Sequence, residues 1–137
     1  MKKNLIIFIT TFLLLAVFET VINQLLLNET YNSLQTIWRS SEELAAKAPL
    51  FLLIYLVHSV AFTLLTNIYQ GSLDGKKGLL IGISLGLISR FWYAYTNYIV
   101  LPIPNALALQ WFVYGLIELS IMGAIVGALD KKLSEKK

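Results

Sequence analysis

The chain has no cysteine, a single histidine, and only 14% charged residues among its 137. The missing cysteines exclude disulfides, thiolate metal sites and cysteine nucleophiles, and leave packing alone to hold the fold. A carboxylate-bridged di-metal bundle needs paired Glu-x-x-His motifs, and bis-histidine haem ligation within one chain needs a second His besides His58. No HExxH, GxSxG or P-loop pattern occurs. Ser59 adjoins His58, but neighbours in sequence do not face each other on a helix, so the pair does not read as a hydrolase. The residues therefore call for no metal and no cofactor, and no reaction is legible in them. Scarce charge also excludes an ordinary soluble domain, in which roughly a quarter of residues are charged.

Apolar residues fill the space, making up 57% of the chain. Four runs, about residues 5–27, 50–70, 79–100 and 106–129, each match the roughly 20 residues that cross a bilayer as a helix. Backbone in hydrocarbon must satisfy its own hydrogen bonds, so the runs predict helices. The expected fold is all-α: an integral membrane four-helix bundle forming one domain over residues 1–137. The start resembles a secretory signal, yet the run is long, contains Glu19 and lacks a small-x-small cleavage site, so it reads as a retained first span.

The chain carries eleven Lys and Arg against eight Asp and Glu, and the positive excess lies in the flanks of the runs rather than in a nucleic-acid-binding patch. Lys2, Lys3, Lys76, Lys77, Lys131, Lys132, Lys136 and Lys137 all fall on one side of the predicted topology, whereas Arg39 and Lys47 on the other are offset by Glu29, Glu42 and Glu43. The positive-inside rule then puts both termini in the cytoplasm of a bacterial inner membrane. The loop over residues 28–49 spaces Tyr31, Leu34, Ile37 and Trp38 on one side, which predicts a short extracytoplasmic helix lying in the interface. Ser40 and Glu43 have capping-box spacing, and Pro49 is placed to kink the helix that follows.

Gly78, Gly82 and Gly86 recur every fourth residue and lead to Arg90, with Tyr93 and Asn97 extending the stripe; Gly123 and Gly127 repeat the pattern in the fourth span. Small residues at this interval let helices approach closely, within one chain or across a homo-oligomer. His58, Arg90 and Glu118 each lie near the middle of a predicted span, and Glu19 sits in the outer half of the first, on one face with Asn23. A central charge costs roughly 2.5 to 3.5 kcal/mol on insertion scales. Arg90 and Glu118 unpaired would cost about 5 to 7 kcal/mol, a large share of a typical stability of roughly 5 to 15. They are expected to face each other.

Intramembrane ionisable groups mark functional sites. The expectation is a small solute or ion bound or transported at midplane by Glu118, Arg90, Glu19, His58, Tyr93 and Asn97, with proton movement on the carboxylates or His58, because arginine keeps its proton. The other reading is an accessory or lipid-interacting membrane protein in which the same charges fix helix register.

The segments YNSLQTIWRSSEELA and LPIPNALALQWFVYGLIE resemble small bacterial four-span membrane proteins of unknown function, which implies a membrane location and no activity. Four spans and the Glu19 of AVFETV also resemble small multidrug resistance transporters, dimeric proton-coupled exporters of cationic drugs. That resemblance implies a proton and cation site at Glu19 only. His58, Arg90 and Glu118 have no counterpart in that pattern.

Overall fold

The computed structural model describes residues 2–69 and 71–135. Its elements are α1 (Lys2–Thr20), which runs on through a π-helical turn over Val21–Leu26, α2 (Asn28–Ser33), α3 (Ser41–Ala46), α4 (Ala48–Ile68), α5 (Gly75–Val100) and α6 (Asn105–Ser134). There is no strand among the described residues. Four helices are long and apolar enough to cross a membrane: α1 with its π turn, α4, α5 and α6. The chain is an all-α bundle and reads as a multi-pass membrane protein.

Local chemistry sets the helix ends. Ser40 accepts from the Glu43 backbone N–H while the Glu43 carboxylate accepts from the Ser40 N–H, forming the expected capping box at α3. Asp74 caps α5 by accepting the Lys77 N–H at 2.8 Å, which starts this helix at Gly75, four residues before the apolar run. That N–H and the lysine charge hold the Asp74 carboxyl below its usual range. The helix begun at Ser41 ends at Ala46, before Pro49, and Pro49 stands instead in the first turn of α4, where a missing N–H costs nothing. The predicted interfacial helix is also shorter than expected. Only Asn28–Ser33 is helical, and the chain continues as turns through Ile37.

Those turns fold inward because their apolar side chains have somewhere to go. Leu34, Ile37 and Trp38 pack with Tyr31, Trp111 and Tyr114 around buried Leu27, Ile103 and Leu107. This cluster packs the loop against one end of the bundle. At the other end, where the described termini lie, Lys3 Nζ sits 2.7 Å from Asp130, which is fully buried and accepts the Leu73 N–H at 2.9 Å. One carboxylate thereby joins the start of α1, the α4–α5 connection and the end of α6. Lys2, Lys76, Lys77, Lys131 and Lys132 share this terminal end; Lys136 and Lys137 lie outside the described residues.

The dominant interface is α5 against α6, and α1 packs on both α4 and α6, whereas α4 and α5 share no extended interface. Glycine explains the first contact. A Cβ on Gly78 would fall on the Gly123 carbonyl oxygen, one on Gly82 on that of Leu119, and one on Gly127 on that of Asp74. Backbones this close gain dispersion and dipole contacts that larger residues would prevent, which matters where lipid removes the hydrophobic drive between helices. The seam is closed within one chain, so these glycines are not free to join two copies. Large apolar side chains such as Leu13, Val17, Leu52, Leu80 and Ile88 point outward, as a hydrocarbon solvent requires.

Gly82→Val should cost about 3 kcal/mol, the upper part of the overpacking range, because backbone blocks the new side chain. Gly75→Ala, whose Cβ meets only ordinary contacts at 3.5 and 3.7 Å, should fall within about 0.5 kcal/mol of the parent. Thermal unfolding of both variants in mild detergent measures the difference.

Candidate functional site

Gly86 brings Arg90 onto the seam face of α5, and a second glycine gives it room. A Cβ on Gly115 of α6 would lie 2.7 Å from the Cγ and Cδ of Arg90, so the arginine stem occupies the space that a side chain at 115 would fill. Glu118, three residues on and on the same face of α6, receives the guanidinium: Arg90 Nη2 donates to Oε2 at 2.7 Å. Nη2 also lies 3.4 Å from Glu19 Oε1 on α1. Three helices thus converge on one guanidinium, with two carboxylates as its partners.

Glu118 is only 1% exposed, whereas Arg90 and Glu19 keep 22% and 26%. One Glu118 oxygen, Oε1, is buried without a hydrogen-bond partner among the described residues. Both described Arg90 contacts leave from Nη2, so Nη1 and Nε hold donors that no described side chain uses. The cluster therefore offers an unused acceptor and unused donors together. Two carboxylates and one guanidinium also sum to a formal charge of −1, which hydrocarbon surroundings tolerate poorly.

A hydrogen-bonded chain leads from this cluster to the loop end. Asn23 Nδ2 donates to Glu19 Oε2 at 2.7 Å and to the Glu19 carbonyl at 2.9 Å. The π turn holding Asn23 begins two residues after Glu19, and such turns recur at functional sites. Tyr31 donates to Asn23 Oδ1 at 2.9 Å and accepts from Trp111 Nε1 at 2.8 Å. Burial pushes the Tyr31 phenol up to about 12, opposed by the Trp111 hydrogen bond. Tyr31 and Trp111 also line a cavity of about 730 Å3, with Trp38, Tyr93 and Asn97 among the other walls.

Among the residues singled out from sequence, Glu19, Arg90 and Glu118 meet, and Tyr93 and Asn97 border the cavity instead. Tyr93 stacks at a tilt on Trp111 with ring centroids 5.5 Å apart, and Asn97 donates to the Tyr93 carbonyl at 2.8 Å. His58 stands apart from these residues. Its Nδ1 lies 3.0 Å from the Ile54 carbonyl of its own helix, and no described hydrogen bond or ion pair ties it to the other three. A ring nitrogen that engages the preceding turn needs no partner on another helix.

Gly115 and Asp130 belong to the packed interior as well, though neither stands among the residues singled out above. Gly115 is legible as a small residue one turn before a buried carboxylate. Asp130 is the one acid beside Lys131 and Lys132, and a carboxylate so placed needs either water or a dedicated partner. Among the described residues, no group of three His, Cys, Asp or Glu side chains is arranged to hold a metal ion.

No family model, curated protein or solved structure matches this chain. The likeness to small multidrug resistance transporters rests on span number and Glu19 alone, and Glu19 here lies beside Arg90, a residue foreign to that pattern.

Two outcomes test this geometry. Gly115→Ala should cost about 1 to 3 kcal/mol, because its methyl group displaces the Arg90 stem and pulls the guanidinium off Glu118; unfolding in detergent reads the loss. Tyr31 ionises later in the fold than its ordinary value near 10, so its contribution is complete below pH 10 and fades as pH rises towards 12. Stability should therefore fall more steeply between pH 10 and 12 in the parent than in Tyr31→Phe.

Proposed function

We propose that the protein binds and transports a small polar solute or ion at the Arg90 cluster, and that Glu118 conducts protons through the same site. The observation that carries this reading is the buried Oε1 of Glu118, which has no partner among the described residues while its other oxygen is held by Arg90. A purely structural ion pair needs one acid for one base, and its lone pairs and donors should be satisfied. Here a second acid, Glu19, leaves the cluster one positive charge short, and a proton or a bound cation restores the balance. The free Arg90 donors beside the free acceptor suit a solute that carries both a donor and an acceptor.

The bundle lies in a bacterial inner membrane with both termini in the cytoplasm. Lys2, Lys3, Lys76, Lys77, Lys131 and Lys132 at the terminal end support this orientation. The cavity then opens towards the extracytoplasmic side, and the Trp111–Tyr31–Asn23–Glu19 chain connects it to the cluster. Any assembly of copies would use outward faces, because the glycine seam is already occupied within the chain.

Protein in liposomes loaded with a pH-sensitive dye tests the reading directly. Under an imposed membrane potential, the parent should carry protons at a rate well above that of protein-free liposomes, and Glu118→Gln should cut the rate at least tenfold while remaining folded. Equal flux in parent and variant would remove Glu118 from the mechanism. Parent flux no greater than that of empty liposomes would contradict proton conduction.

A further inference from the structure

The cavity at the loop end has features that the Arg90 cluster does not explain. Its volume of about 730 Å3 lies in the range of pockets that hold a small-molecule ligand. Arg39 is the single charged residue in its wall among the described residues, which makes that lining net positive. Arg39 has only a surface pairing with Glu43, at 3.6 Å, and both groups are more than half exposed. Such a contact is worth little and leaves the guanidinium available. The wall also includes Trp38, whose buried indole N–H has no partner among the described residues.

The shape of the bundle supplies the second argument. Towards the terminal end, Phe62 and Thr66 of α4 and Gly78 and Ile81 of α5 border a gap of only about 10 Å3, walled on the third side by Gly123 and Val126 of α6. Towards the loop end, Phe51 of α4 and Leu101 just beyond α5 border the large cavity instead. A space that is cationic and amide-rich beneath the loop and apolar between Phe51 and Leu101 matches an amphiphile standing in the bilayer.

We propose that this cavity binds one anionic phospholipid, its phosphate held by Arg39 and its acyl chains leaving between α4 and α5. The site is independent of proton conduction at Glu118, so the two proposals fail separately. The cavity lies at the end opposite the lysine-rich one. Binding there is therefore distinct from the general attraction of basic flanks for anionic headgroups.

Full-length protein in mild detergent, mixed with equal amounts of phosphatidylglycerol and phosphatidylcholine, is examined by native mass spectrometry. One phosphatidylglycerol should be retained in preference to phosphatidylcholine. Arg39→Gln should weaken that retention about fivefold, the equivalent of roughly 1 kcal/mol per basic residue near a lipid surface. Leu101→Trp, which fills the cavity, should weaken it with Arg39 intact. Arg39→Lys should keep the adduct, as should the paired change Lys131→Gln and Lys132→Gln, and also Glu118→Gln.

Equal retention of both lipids would overturn the proposal. So would loss of the adduct in the lysine pair with no change in Arg39→Gln and Leu101→Trp. Loss in Arg39→Lys as great as in Arg39→Gln would show that charge is not what holds the lipid, and would overturn the assignment of an anionic headgroup. Displacement of the lipid by millimolar inorganic phosphate would transfer the site to a soluble anion and overturn it as well.

Discussion

Arg90 cannot shed its charge, so the helix that carries it must deliver it to an acceptor inside the bundle. That demand organises the middle of the structure. Gly115 makes space for the arginine stem while Gly86 lets α5 close on Leu116, α6 supplies Glu118 at 2.7 Å, and α1 contributes Glu19 at 3.4 Å. The same interaction fixes the rotation of three helices, since turning any one of them would leave a charge unpaired in hydrocarbon. Breaking such a pair costs more than forming it returns, which makes it a device of register as much as of stability.

On either side of this centre the bundle is held by different means. The α5–α6 seam depends on backbone approach through Gly78, Gly82, Gly123 and Gly127, and the terminal end depends on the buried Asp130 with Lys3 and the Leu73 N–H. The loop end is aromatic and less tightly filled. Tyr31, Trp38, Tyr93 and Trp111 line the large cavity, which Phe51 of α4 and Leu101 beyond α5 also border. A bundle clamped at one end and open at the other has a built-in direction. The chain from Trp111 to Glu19 gives the open end a polar connection to the charged centre.

Much of this is legible in the sequence because lipid simplifies the rules. Run length gives the four spans, and a four-residue glycine interval that ends in Arg90 places the arginine on a packed face. The mutual approach of Arg90 and Glu118 follows from the cost of burying either alone. What escapes is whatever depends on rotation or on one backbone group. His58 lies near midspan like the others, yet its ring engages the Ile54 carbonyl, an option that periodicity cannot weigh. Asp130 looks like a surface residue among lysines until the Leu73 N–H and Lys3 are brought to it by folding. Helix α2 ends early because Leu34 and Ile37 gain more by packing on Leu27 and Leu107 than by lying in a plane at the interface. That gain depends on tertiary contacts outside the loop itself.

The account stands or falls on Arg90 and Glu118 acting as one unit. A double-mutant cycle on reversible unfolding, with Arg90→Leu, Glu118→Leu and both together, measures this most directly. The account predicts that each single change costs about 3 to 5 kcal/mol and that the double variant recovers a large part of the summed loss, because no partner is left stranded. Losses that simply add would show that the two residues do not hold each other, and the assignment of a shared site at the centre of the bundle would be wrong.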